Sequence, residues 1–202
     1  MKHRLSMVGL WMVIAVLLPL STAQSASVQK MNLTDLISYG DLIVVAEVLA
    51  LSDGFDASNG LPYTEVTISI LETLRGNANG LYSFRQYGLL APRDMGNGTT
   101  FVGVSPDGWP KFEIGQETVL FLYAPTALGF QSTAGLLQGK FDVKNGATSN
   151  GIDNLGLFKD VTADESMLDD AEIKMLQKEH GPVEKSTLLS FVAKAVQNGW
   201  QN

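Results

Sequence analysis

Few side chains in this sequence have the chemistry for catalysis or ligation, and their spacing limits what they can do. Of the two histidines, His3 sits at the start and His180 stands alone beside Gly181-Pro182; there is no cysteine. An ordinary zinc site needs three or four nitrogen or sulfur ligands, which one histidine cannot supply. A Ser-His-Asp triad would have to use His180, yet no Gly-x-Ser-x-Gly turn presents a serine. His180 reads instead as a cation closing the C-terminus of a helix.

Carboxylates occur in pairs: Glu113 with Glu117, Asp164 with Glu165, and Asp169 with Asp170. Glycoside hydrolysis would need two of them about 5–10 Å apart in a cleft with sugar-stacking aromatics. Asp164 to Glu179 reads as the solvated side of an amphipathic helix, and Glu113 and Glu117 flank a turn and a strand start. Asp53, Asp56, Ser58 and Asn59 offer oxygen ligands, but their spacing is not that of an EF-hand loop; they read as the tip of a hairpin. Gly139-Lys140 lacks the upstream glycine and following hydroxyl of a phosphate loop and marks a tight turn into a strand. The sequence thus nominates no catalytic residue, no metal and no cofactor.

The less ordinary feature is a Gly- and Pro-rich stretch over residues 88–115, containing Gly96-Asn97-Gly98, Pro106-Asp107-Gly108 and Trp109-Pro110. A loop longer than about 15 residues inside a domain is uncommon and often carries function. Tyr87, Phe101 and Trp109 lie in or beside it, with Tyr123 nearby. They form either a partner-binding surface or a cover over the end of a barrel. Tyr87, Phe101 and Trp109 are the candidate partner contacts.

The elements that would hold this stretch are mostly strands. Asn32 caps a short helix whose apolar face is Leu33, Leu36 and Ile37, ended at Gly40. Leu42 to Val48 is a continuous apolar run, the mark of a strand buried on both sides. Tyr63 to Leu74 alternates, with Val66, Ile68 and Ile70 inward, and its phase slips near Leu71 to Leu74, which predicts a bulge. Leu81 to Tyr87 alternates again, Thr118 to Tyr123 is a central strand, and Gly129 to Gln131 and Lys140 to Val143 are shorter ones. The spacing predicts a helix over Glu165 to Glu179. A last helix runs from a Ser186 cap to Val196, with Leu188, Leu189, Val192, Ala193 and Val196 as its stripe.

Lys2, His3 and Arg4, the apolar run Leu5 to Leu20 and the small residues Ser21-Thr22-Ala23 read as a secretory signal peptide. The run of about 16 apolar residues is shorter than the roughly 20 of a spanning helix. Cleavage is expected after Ala23, with Ala26 as the alternative. The chain then divides into a signal peptide (1–23), a flexible mature N-terminus (24–31) and one domain (32–202) with a helical extension at about 164–198. Residues 1–23 hold two of the 14 basic side chains and none of the 21 acidic ones, which leaves 12 against 21 and a formal charge of −9. That balance argues against nucleic acid and against an anionic membrane surface after cleavage. It fits an exported periplasmic or secreted bacterial protein whose fold rests on its hydrophobic core alone, without disulfides.

Several short blocks follow one another in order: Gly40-Asp41-Leu42-Ile43-Val44-Val45-Ala46, Glu72-Thr73-Leu74-Arg75-Gly76, Phe112-Glu113-Ile114-Gly115-Gln116-Glu117 and Gln138-Gly139-Lys140-Phe141. This order, over about residues 33 to 144, resembles a family of uncharacterised bacterial exported proteins. More distantly it is similar to netrin-like and tissue-inhibitor-of-metalloproteinase domains. That resemblance implies an α+β, mainly β fold, an OB-like small barrel, and a role in binding a partner protein, with an extracytoplasmic protease as the partner class it points to. The inhibitors' N-terminal cysteine and disulfides have no counterpart here, so their chemistry transfers to no residue of this chain. The expectation is a non-enzymatic module that binds another extracytoplasmic protein. Its alternatives are a carboxylate-dependent hydrolase of envelope polymers and a self-associating envelope protein.

Overall fold

A computed structural model describes residues 29–200 of the chain; the expected signal peptide and its cleavage sites lie outside the described residues. The elements run α1 (Leu33–Tyr39), β1 (Leu42–Phe55), β2 (Pro62–Arg75), β3 (Leu81–Tyr87), β4 (Arg93–Asp94), β5 (Thr100–Phe101), β6 (Glu117–Leu122), β7 (Lys140–Lys144), β8 (Ala147–Asn150), α2 (Asp170–Leu176), β9 (Val183–Glu184) and α3 (Lys185–Asn198). Seven strands form one antiparallel sheet in the order β3-β2-β1-β6-β7-β8-β9, and β4 and β5 form a separate small hairpin. The fold is mainly β with three α-helices. Among the described residues, no ladder joins the outer strands β3 and β9.

The apolar run of β1 is explained by two cores, one on each face. Ile43 and Val45 point into a core shared with Phe121, Phe141, Leu36 of α1 and Phe191 of α3. Val44, Ala46 and Val48 point the other way, against Val66, Ile68, Phe84, Phe112 and Leu120. A strand covered on both faces has no polar side to show, hence the lack of alternation. The phase slip in β2 is real. Register jumps from Val44↔Thr73 to Ile43↔Arg75 and from Ala46↔Ile70 to Val45↔Glu72, which leaves Leu74 and Leu71 as extra, bulged residues.

Two isolated bridges lie beyond these ladders. Phe130 bridges Arg85 of β3 in parallel, and Thr133 bridges Leu122 of β6 antiparallel. The segment expected as a strand at Gly129 to Gln131 is therefore a single bridge between β3 and the end of β6. It then breaks at a tight turn, Leu136–Gln138, before β7 takes up pairing with β6.

The C-terminal part departs most from expectation. The helix expected over Glu165 to Glu179 is reduced to Asp170–Leu176, preceded by one 3-10 turn at Glu165–Met167. Asp164 and Asp169 each turn a side chain back to cap a following amide, so two caps five residues apart break one helix into two short pieces. β8 and β9 extend the sheet where the polar sequence reads as loop. In α3, Glu184 is the cap position in place of Ser186, and the buried face is Leu188, Phe191, Val192 and Ala195, with Ala193 exposed. Trp200 packs behind it, its ring 5.6 Å from Phe191.

Candidate functional site: two clefts beside Trp109

The 88–115 stretch is tied to the sheet at several points. Thr64 Oγ1 donates to the Gly88 carbonyl at 2.8 Å, and the buried Gln86 amide donates to the Pro110 carbonyl at 3.2 Å. The Leu90 amide donates to Asp53 Oδ2 at 2.8 Å, and the same carboxylate pairs with Arg93. Leu89, Pro110 and Phe112 are buried beneath the stretch. It therefore covers one end of the sheet and at the same time holds up an outer surface.

Two clefts flank the Asp107–Lys111 segment. The first, about 450 Å³, is largely apolar and lined by Leu51, Leu89, Leu90, Val104 and Phe112, with Thr64 and Gln86 at its base. The second, about 320 Å³, has Trp109, Pro106 and Leu137 as walls and Lys140, Asp142 and Gln116 within, with Glu113 also lining it. Phe141 turns into the helix-side core, so the two-residue period of β7 sends Lys140 and Asp142 together to the opposite face. The Lys140 side chain is 6 % exposed; its ammonium pairs with Asp142, donates to Gln116 Oε1 at 3.1 Å and stands 5.2 Å from the Phe112 ring centre.

The three aromatic candidates occupy different surroundings. Phe101, on β5, packs edge-on against Phe55 with centroids 5.0 Å apart, beneath the small hairpin. Tyr87, at the end of β3, lies 6.3 Å from Phe130 and is partly exposed. Trp109 alone forms a wall of a cleft. Tyr123 packs near Tyr39, at 6.3 Å. Sequence reasoning passed over Lys140 and Asp142, whose signal was the two-residue spacing on one strand just after Gly139.

The other candidates have ordinary partners. The hydroxyl and amide of Ser58 hold the Asp56 carboxyl below the usual carboxylate range, with Arg85 adding to this, and Asn59 accepts from the Leu61 amide; these residues close the β1–β2 turn. Asp53 is engaged by Arg93 and Leu90. His180 Nδ1 is 3.2 Å from Asp153 Oδ2, and Ser149 Oγ donates to the other oxygen of Asp153 at 3.3 Å. The carboxylate thus stands between serine and histidine, an order in which the imidazole cannot take the serine proton. Among the described residues, no three His, Asp or Glu side chains gather as a metal site, and no helix is long and apolar enough to cross a membrane.

One acidic residue departs from the reading of Asp164 to Glu179 as a solvated face, while Asp164, Glu165, Asp169, Asp170 and Glu179 are exposed. Glu172 is fully buried between α2 and α3, where its carboxylate accepts from Lys194 Nζ at 2.6 Å, Ser190 Oγ at 2.8 Å and the Asp169 amide at 2.9 Å. Ser190 and Lys194 are four apart on α3 and so share the face that meets it. Glu117 of β6 pairs with Lys185 at the start of α3, at 2.7 Å.

No family model, curated protein or solved structure matches this chain.

Proposed function

We propose that this protein is an exported, non-enzymatic module that binds another extracytoplasmic protein through the 88–115 stretch. The observation that carries the reading is the apolar rim of the first cleft. Leu90 and Val104, which line it, are 52 % and 36 % exposed, and Met95 and Val102 of the same tethered stretch are 47 % and 71 % exposed outside its lining. Such a grouping on a rigid support is what a protein interface presents. Leu89 and Phe112 form a preshaped apolar floor, so the surface needs little reordering on binding. Export is supported by the leader-like residues 1–23.

An OB-like barrel is the finer fold reading. It is supported by the long, shared β1 and by the two bridges at Phe130 and Thr133, which would link β3 through residues 130–133 to β6 and return to β1. The neighbour order β3-β2-β1-β6, with a parallel bridge from Phe130 to β3, is compatible with a five-stranded OB-type barrel.

The reading is tested by capture from the envelope and secreted fraction of the source organism. The wild type is compared with a Leu90→Ser/Val104→Ser variant of unchanged thermal stability. A protein retained by the wild type and lost with the variant supports it; equal capture, or none by either, overturns it.

A further inference from the structure

The second cleft has a different character from the first and fits a different ligand. Its floor is ionic but internally neutral, because the Lys140 ammonium is already paired with Asp142 and bonded to Gln116. An anion would have to displace Asp142 and a cation would have to compete with Lys140, each at the cost of a pair whose ammonium is buried although its carboxylate is 37 % exposed. A purely apolar ligand would strip water from Asp142 Oδ2 and Gln116 Nε2 and give nothing back, since neither atom has a protein partner among the described residues. A ligand that satisfies the floor is uncharged and carries adjacent donors and acceptors. Vicinal hydroxyls meet that need: one donates to the carboxylate while its neighbour accepts from the amide. Trp109 also lines the cleft, and an indole offers an apolar plate on which the C–H face of a sugar ring packs.

Two further observations agree. The turn that sets Leu137 against this cleft holds Leu136 at φ +57, a conformation unfavourable for a branched side chain, and strain of this kind gathers at functional sites. The cleft also continues past Asp142 and Gly151 into a shallow polar depression lined by Lys144, Ser149, Asn150 and Asp153. A groove longer than one ring suits a chain of sugars.

We propose that the Trp109–Lys140 cleft binds a neutral oligosaccharide, with one ring stacked on Trp109 and its hydroxyls bonded to Asp142 and Gln116. This site is distinct from the apolar rim assigned to the protein partner, and its test does not depend on that assignment. The purified protein is titrated with cellotetraose, chitotetraose, maltotetraose and mannotetraose, followed by calorimetry and tryptophan emission. At least one of them is expected to bind, with affinity that changes little between low and high salt because no net charge is neutralised. Trp109→Ala is expected to weaken that binding at least about tenfold and Gln116→Ala by roughly threefold, both with unchanged melting temperatures. Gln116 is half-buried at a strand entrance, so its variant reports on the site even where the tryptophan change disturbs the local turn. Binding by none of the four sugars, binding unaltered in both variants, or binding abolished by salt each overturns the proposal.

Discussion

Lys194 of α3 reaches Glu172 of α2 at 2.6 Å, and the carboxylate it meets has no exposed surface at all. Burial pushes the Glu172 carboxyl up, but Lys194, the Asp169 amide and Ser190 outweigh that push and hold it below its ordinary value of 4.5. A folded-state pKa below the unfolded one contributes stability that is present above the unfolded value. That stability is lost as pH falls through the folded value. The junction between α2 and α3 is therefore expected to be acid-labile.

Glu172→Gln is expected to cost about 1–3 kcal/mol at pH 7, less than the loss for a fully buried pair because Lys194 keeps part of its hydration. The difference from wild type should shrink as pH falls below the ordinary glutamate range, since wild type then loses the same charge. Urea unfolding at pH 7 and at pH 3.5 measures both. A gap that stays constant across that range would show that the charge contributes nothing.

Gly139 has no room for a side chain: a Cβ there would sit 2.2 Å from the Ala134 carbonyl oxygen, although its φ of −91° suits any residue. Gly139→Ala is thus a steric test, expected to cost roughly 3 kcal/mol or more by overpacking against backbone that cannot yield. Gly129 is the opposite case, with φ +78 and open space around it, so Gly129→Ala is expected to cost only about 1–2 kcal/mol from the left-handed backbone. Thermal melts of the two variants side by side check the ranking, and a milder effect at Gly139 would contradict the packing described.

The strands of the sheet centre were legible because burial writes itself into period and composition. β1 and β6 are apolar on both faces, β2 alternates, and the slip at Leu71 to Leu74 marks the two bulges. Asn32 announced α1 as its cap, and the structure adds a reciprocal bond to the Asp35 side chain. The misreadings share one cause, which is that the deciding partner lies far away in sequence. Glu172 reads as surface until Ser190 and Lys194 are brought to it. β8 is polar because Thr148 and Asn150 spend their groups on buried bonds to Val183 and Gln138. Lys140 read as a turn marker because Gln116, which joins the nearby Asp142 in holding its ammonium, lies 24 positions away.

Trp200 is buried just beyond α3, with its amide returning to the Ala195 carbonyl at 2.9 Å and its ring on Phe191. Trp200 is thus a clamp on α3, and Trp200→Ala is expected to cost about 2–4 kcal/mol, near the lower end for a large aromatic because the site borders solvent. Denaturant unfolding of this variant measures it. A change under about 0.5 kcal/mol, the size usual for surface substitutions, would place Trp200 outside the core.

Asp53 holds the 88–115 stretch from β1 by accepting the Leu90 amide and pairing with Arg93, which itself lies over the Phe55 ring. None of these contacts enters either core, so their loss should loosen the stretch without loosening the sheet. Asp53→Ala is expected to lower the melting temperature by no more than about 2–4 °C, the shift for a loss near 1 kcal/mol in a domain of this size. In the same variant, cleavage by trypsin after Arg93 should accelerate by about tenfold, because local opening there becomes easier by a similar amount. Limited proteolysis with mass spectrometry reads the second effect and calorimetry the first. The partner-binding reading needs the apolar rim held in place before contact, so this variant should also bind the captured protein more weakly, through the ordering it must then supply. Faster cleavage with undiminished capture would mean that the tether fixes the fold edge and not the binding surface.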